Sequence, residues 1–405
     1  MNVPFVDLKI QYLSLKPEID PAIQELGRMY HPESPYSDPR VRRINNDARS
    51  FLRTTGHEYD LIVYGLLDSH TLLSHASSVR LDSFVYTVEG LREARARLKD
   101  DGVVSLSFSI ISNEIGRKIY LMMEKAFDGH PPICVLAGYD GSVIFLQSKK
   151  GDLKIPKETI ARSGFQEITG IYADPAIRAD ISTDDWPYFY MPQRVYPRSY
   201  LFMVAIVLLL SLIFFVNFVS DRPRFSHASF FFLGAGFMLV ETKGITEMGL
   251  TFGNTWQVIG IVISGVLVMA YLANGVVESL RIRRPFLPYL LLLGSLVLGV
   301  VVAQHGGFAP SLGGKLATAI VLTCPMFFSG IVFSTLIAGI EDISGAMALN
   351  LLGAMCGGLL EYNSMYFGFQ FLYWLAIGLY IAAFASSLVL RKKSIPLGAP
   401  ASPQL

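Results

Sequence analysis

Seven long apolar runs dictate more about this chain than any other feature. They lie at about 200–219, 228–250, 256–278, 286–304, 315–338, 347–364 and 369–390. A helix needs roughly 20 apolar residues to cross a bilayer, and in hydrocarbon only a helix or a closed barrel satisfies its own backbone groups. Short polar connections such as "SDRPRFSH" and "RIRRPF" join the runs. Residues 1–198, by contrast, are mixed and charged like a soluble unit. The split explains a composition that is 52% hydrophobic and 17% charged, too apolar for an ordinary soluble protein. The sequence therefore divides into an α/β unit at 1–198, a membrane bundle of six or seven helices at 199–390, and a basic, proline-containing tail at 391–405.

A net charge of +1 gives no electrostatic footprint for nucleic acid. Cys134, Cys324 and Cys356 are far apart and form no CxxC, so neither a disulfide framework nor a metal site is expected. The first 20 residues lack the charged start and apolar core of a secretory signal.

Within the bundle, Gly353, Gly357 and Gly358 give the small-xxx-small spacing that lets helices approach closely. Packing inside one bundle and dimerisation both suit it, so a homo-oligomer stays open. The second run contains Glu241, Lys243 and Glu247. Charge at membrane depth is expensive unless paired or facing a cavity. Lys243 and Glu247 stand four apart on one helical face and can pair locally; Glu361 is a further partner within reach of the sixth run. A structural ion pair and a substrate or proton site are the two readings. If all seven runs cross, the α/β unit and the C-terminus face opposite sides. Arg222, Arg224, Arg281, Arg283, Arg284, Arg391, Lys392 and Lys393 then share the C-terminal side, and the positive-inside bias exports the α/β unit. If the Glu241/Lys243 segment is re-entrant, six spans remain. Arg281 to Arg284 and the tail then flank a cytosolic unit, which is the arrangement expected here.

In the first half, helical stretches at about 20–30, 48–55, 83–99 and 112–127 alternate with strand-like stretches at 41–46, 59–65, 102–109, 133–139 and 142–149. Such alternation predicts an α/β sheet with helices on its faces. The last two strands flank Asp140-Gly141 and read as a hairpin closing an otherwise parallel sheet. Ligands in such sheets bind beyond the strands' carboxyl ends. That rule singles out Glu18, Asp20, Asp47 and Asp68. Helix capping is the alternative for Asp20, which precedes Pro21, and for Asp47, which precedes "ARSFLRTT".

The stretches "EIDPAI", "DPRVRRINNDARSFL", "YDLIVYGLLDSH" and "FVYTVEGLREARARLKDDGVVSLSF" follow one another in the order seen in spermidine synthases. With "TDDWPYFY" and the apolar half, nearly the whole chain resembles the large membrane-embedded bacterial relatives of that family. The resemblance implies a Rossmann-like, class I methyltransferase-like fold and a place in a bacterial inner membrane. It also implies aminopropyl transfer from decarboxylated S-adenosylmethionine, or binding of S-adenosylmethionine, with a small amine as acceptor and no metal. Glu18, with Asp20 beside it, matches the acid that holds the ribose hydroxyls. Asp47 matches the acid on the adenine amino group, and Asp68 the acid that holds the amine. The family's catalytic acid aligns with Gly65, which has no group to act as general base; Asp68 or His70 would have to replace it. The glycine-rich loop expected before Glu18 has no counterpart, so the chain is expected to be shortened at its N-terminus, or completed by a partner supplying that segment. Three functions follow as expectations: a membrane-bound spermidine synthase-like transferase, a non-catalytic membrane binding or regulatory protein, and a transporter-like bundle using Glu241 and Lys243.

Overall fold

A computed structural model describes residues 25–32, 38–42, 44, 46–65, 84–138, 141–218, 227–252, 256–304, 308 and 312–393. The first half of the chain builds a mixed five-stranded sheet. Helix α1 (Ala48–Thr54) leads into β1 (Tyr59–Gly65), then α2 (Val88–Ala96), β2 (Leu98–Ser109) and α3 (Asn113–Ala126). Strands β3 (Ile133–Leu136) and β4 (Ser142–Ser148) come next, followed by α4 (Lys157–Arg162), β5 (Gln166–Glu167) and α5 (Thr169–Ala173). The strand order is β1-β2-β4-β3-β5. Among the described residues β1 and β2 run parallel, whereas β2–β4, β4–β3 and β3–β5 are antiparallel.

The expected hairpin forms between β3 and β4, with Gly141 at φ +63° in its turn, a conformation that L side chains avoid. No strand forms at 41–46 among the described residues, which corrects the sequence reading. Side chains compete there for the backbone: Asp38 accepts the Arg40 N–H at 2.8 Å, and Asn46 accepts the Asp47 N–H at 2.9 Å. Among the described residues the sheet is also less parallel than expected, with β1 first in its strand order. Alternation along β2 turns Val104, Leu106 and Phe108 inward, into the hydrophobic core that also takes Ile115, Ile119 and Met123 of α3.

The second half is a helical bundle: α6 (Arg198–Phe218), α7 (Ala228–Phe252), α8 (Trp256–Leu280), α9 (Phe286–Gln304), α10 (Leu312–Ile337), α11 (Ile343–Leu360), the short α12 (Ser364–Phe367) and α13 (Gln370–Lys393). Six of these helices are long and apolar enough to cross a membrane. The six are α7, α8, α9, α10, α13 and the stretch that begins with α11. Helix α7 runs unbroken through Glu241 and Lys243, so the re-entrant arrangement is corrected. Its charges do not interrupt it because Lys243 bonds Glu247 one turn on along the same helix.

Contacts fix the two ends of the bundle. The end nearer the sheet holds Leu250, Met365 and Gln370, which bond to Arg53, Trp186 and Asp185. The opposite end holds His227 and Asp342, 3.7 Å apart. Residue 198 starts α6 at the near end, where the Tyr200 hydroxyl donates to the Leu359 carbonyl at 2.8 Å, and residue 227 lies at the far end. The chain between them passes from one end to the other. Arg281, Arg283, Arg284 and residues 391–393 consequently lie at the end opposite the sheet.

Helices α7 and α11 meet through glycines. A Cβ added at Gly353 would lie 1.9 Å from the Phe231 carbonyl oxygen, one at Gly357 2.4 Å from that of Ala235, and one at Gly234 2.1 Å from that of Asn350. The small-residue spacing thus serves packing inside the bundle. Gly358, the third member of the sequence triplet, has nothing within 4 Å.

Candidate functional site

The segment 183–191, "TDDWPYFYM", belongs to both halves at once. Phe189 sits in the core of the sheet, while Trp186 and Tyr188 sit in the core of the bundle. Phe189 stacks on Tyr86 at 4.7 Å and meets Phe108 edge-on at 5.1 Å. Trp186 is fully buried and its indole N–H donates to the Met365 carbonyl at 2.6 Å. The hydroxyls of Tyr188 and Ser364 are 2.6 Å apart. Trp186, Tyr188 and Met191 therefore face the interior of the bundle, and Phe189 and Tyr190 that of the sheet.

Charge organises the same junction. Arg49 on α1 is buried and grips Asp184 with both terminal nitrogens, at 2.5 and 2.6 Å. It also bonds Glu93 on α2 twice at 3.0 Å and donates to the Phe84 carbonyl at 2.8 Å. A planar guanidinium suits such paired contacts, which a lysine ammonium cannot reproduce. Arg53, one turn further along α1, bonds Glu93 at 2.9 Å and reaches the Leu250 carbonyl of α7 at 2.5 Å. Asp184 accepts from the Thr87 hydroxyl at 2.9 Å, and its N–H donates to Glu89 at 2.9 Å.

The neighbouring Asp185 faces the bundle and accepts the Gln370 N–H at 2.6 Å, at the start of α13. Burial pushes its carboxyl above the ordinary range, while that N–H and the charge of Lys243 pull it partly back. Lys243 bonds Glu247 and lies 5.4 Å from the ring centres of both Phe369 and Tyr373. Arg53, Asp184, Asp185, Lys243, Glu247 and Leu250 help line a cavity of about 70 Å³. That is room for a few waters and too little for an organic ligand.

Lys118 on α3 is fully buried beneath the segment. Its ammonium donates to the carbonyls of Tyr188 at 2.8 Å and Met191 at 2.7 Å, and lies 4.4 Å from the centre of the Trp186 ring. Burial drives its pKa well below the ordinary lysine value, with Asp180 offsetting part of the effect. The unfolded chain then binds more protons between the depressed and the ordinary value, so stability rises with pH across that window. We expect the melting temperature of the purified chain to rise from pH 7 to pH 9, and Lys118→Met to flatten that slope. Cys134, pushed up to about 12 by burial, opposes the trend only above its ordinary value, which is why the scan stops at 9. An unaltered slope in Lys118→Met would rule Lys118 out as its source.

Of the residues singled out in the sequence, Glu18, Asp20, Asp68 and His70 lie outside the described residues. Asp47 caps α1, accepting the Ser50 N–H at 2.8 Å, and Gly65 ends β1 with open space where a Cβ would lie. Lys243 and Glu247 join the junction. Glu241 and Glu361 are half-buried and form no ion pair among the described residues. No group of three His, Cys, Asp or Glu side chains among the described residues could hold a metal ion.

The sequence reading missed Arg49, Glu93, Asp184, Asp185 and Lys118. One local signal was present. Arg49 and Arg53 stand at i and i+4 on a short helix, a repulsive pair unless acids from elsewhere face it. No family model matches the chain, and no solved structure matches it.

Proposed function

We propose that this chain is a polytopic membrane protein whose α/β unit acts as a binding or regulatory module mechanically tied to the helical bundle, without turnover of its own. The observation behind this reading is segment 183–191, which packs into both cores and holds the first turn of α13 through Asp185. Any rearrangement that shifts Asp184 against Arg49 would be felt at the start of α13. The ion pair of Lys243 with Glu247 belongs to this coupling, which favours it over a transport role for those two charges.

In this reading the α/β unit lies on the non-cytosolic face. Arg281, Arg283, Arg284, Arg391, Lys392 and Lys393 cluster at the opposite end of the bundle, and clustered cations mark the cytosolic side. The cytosolic expectation rested on the re-entrant segment that α7 does not form.

Aminopropyl transfer from decarboxylated S-adenosylmethionine is the second reading. It draws on the order of the four sequence motifs and on β1 pairing parallel to β2, with Gly65 at the carboxyl end where such sheets bind ligands. The two readings separate by side and by product, because a charged sulfonium does not cross a bilayer unaided. We expect Lys99→Cys, on the α/β unit, to react with an impermeant maleimide in intact cells, and Arg283→Cys only after permeabilisation. Purified chain given decarboxylated S-adenosylmethionine and putrescine should yield no aminopropylated product by mass spectrometry. Product formation, together with protection of position 99 in intact cells, would overturn the proposal in favour of the enzyme.

A further inference from the structure

The far end of the bundle carries a crevice that the coupling described above does not use. It lies between the start of α9 and the last turns of α13, has a volume of about 460 Å³, and is lined by Arg284, Pro285, Phe286, Phe384, Ser387 and Leu388. Its walls are apolar: Phe286 and Phe384 lie 5.9 Å apart, and Phe286 and Leu388 remain exposed although they flank membrane-length helices. Its floor asks for nothing, because the Ser387 hydroxyl donates to the Phe384 carbonyl at 2.7 Å. The charged group on its lining is Arg284, which is exposed and forms no ion pair among the described residues. A cation at the mouth of an apolar slot, where two spanning helices end, matches a molecule with an anionic head and a hydrocarbon tail.

The surroundings reinforce that match. Arg281 and Arg283 precede Arg284 in the same short connection, and Arg391, Lys392 and Lys393 form the last residues of α13. Among the described residues that end carries these six basic positions and three acidic ones, Glu278, Glu341 and Asp342, of which Asp342 faces His227 and caps α11. Net positive charge at a bundle end attracts anionic headgroups, and basic pockets between spanning helices hold them individually. Pro285 fixes the connection's backbone, which helps keep Arg284 at the slot.

We propose that this crevice is a binding site for a single anionic phospholipid, with the phosphate on the Arg284 guanidinium and an acyl chain lying along the apolar surface of Phe286, Phe384 and Leu388. A guanidinium holds a phosphate through two parallel N–H bonds, whereas the aromatic walls exclude water from the first methylenes of the chain. The site does not depend on which face of the membrane the α/β unit occupies.

Native mass spectrometry of the full chain in detergent tests this, with phosphatidylglycerol and phosphatidylcholine of identical acyl chains added in turn. The parent chain should retain one phosphatidylglycerol several-fold more tightly than phosphatidylcholine. Arg284→Gln should lower that preference by about fivefold, the effect of one arginine at a membrane surface. Phe384→Ala should weaken both lipids, and Lys150→Gln on the distant sheet should change neither. Glycerol 3-phosphate at millimolar concentration should fail to displace the lipid, because it lacks the tail. Equal retention of the two lipids, an unchanged preference in Arg284→Gln, or displacement by glycerol 3-phosphate would overturn the proposal.

Discussion

Arg49→Ala is expected to destabilise the sheet-bearing half by roughly 3–5 kcal/mol, the range for breaking a buried ion pair from one side. The size follows from what is left behind. Asp184 and Glu93 keep their charges, each about three-quarters shielded from water, but lose the guanidinium that bonds both. The Phe84 carbonyl loses a donor as well. Arg49→Lys restores the charge without the paired geometry and should recover only part of the loss. An exposed pair supplies the contrast: Lys99 and Asp60 approach to 2.8 Å, yet both are more than half exposed, so Lys99→Ala should cost less than about 1 kcal/mol. Urea titration in detergent, followed by the fluorescence of the fully buried Trp186, reads both variants in one assay. Arg49→Ala and Lys99→Ala falling within 1 kcal/mol of each other would mean the junction is not the organising contact described above.

The second large effect concerns the α7–α11 seam. Gly353→Ala places a methyl 1.9 Å from a carbonyl oxygen of α7, where no side chain can move aside. The helices must separate, and overpacking of this kind costs about 1–3 kcal/mol or more. Gly358→Ala adds the same methyl on the next turn into open space. It should be neutral or stabilising by up to about 1 kcal/mol, since alanine loses less backbone freedom in a helix than glycine. Two identical substitutions five residues apart should therefore shift thermal unfolding in detergent in opposite directions, or one strongly and one not at all. Equal shifts would show that the seam is not fixed by backbone contact.

The bundle was legible because hydrocarbon imposes a length. Each apolar run appears as a helix whose ends lie within a few residues of the expected ones. The β3–β4 hairpin was legible for a similarly local reason, a turn whose glycine takes a positive φ between two alternating strands. The failures are of two kinds. At 41–46 a strand was expected, but among the described residues Asp38, Asn46 and Asp47 accept backbone N–H groups in turns and a cap. The junction was invisible for want of locality: Arg49 meets Glu93 44 positions away and Asp184 135 positions away. No periodicity within a window reports such partners. The family resemblance points to Asp47, not to Arg49 two positions on, whose contacts tie α1 and α2 to segment 183–191. Of the glycine triplet, the spacing identified the right helix face, yet it could not separate Gly353 and Gly357 from Gly358 without the opposing backbone.

The Trp186–Met365 bond has an implication for how the molecule comes into being. Its two ends are 179 positions apart, and Asp185 waits for Gln370, 185 positions on. A ribosome adding about 5–20 residues per second needs roughly 10–40 s to cover that distance. Throughout that interval an indole destined for complete burial, and a carboxylate meant to sit against a helix start, stay solvated or under escort. The sheet thus acquires its final anchor only when the last spanning segment has emerged, which makes maturation of the first half contingent on the last.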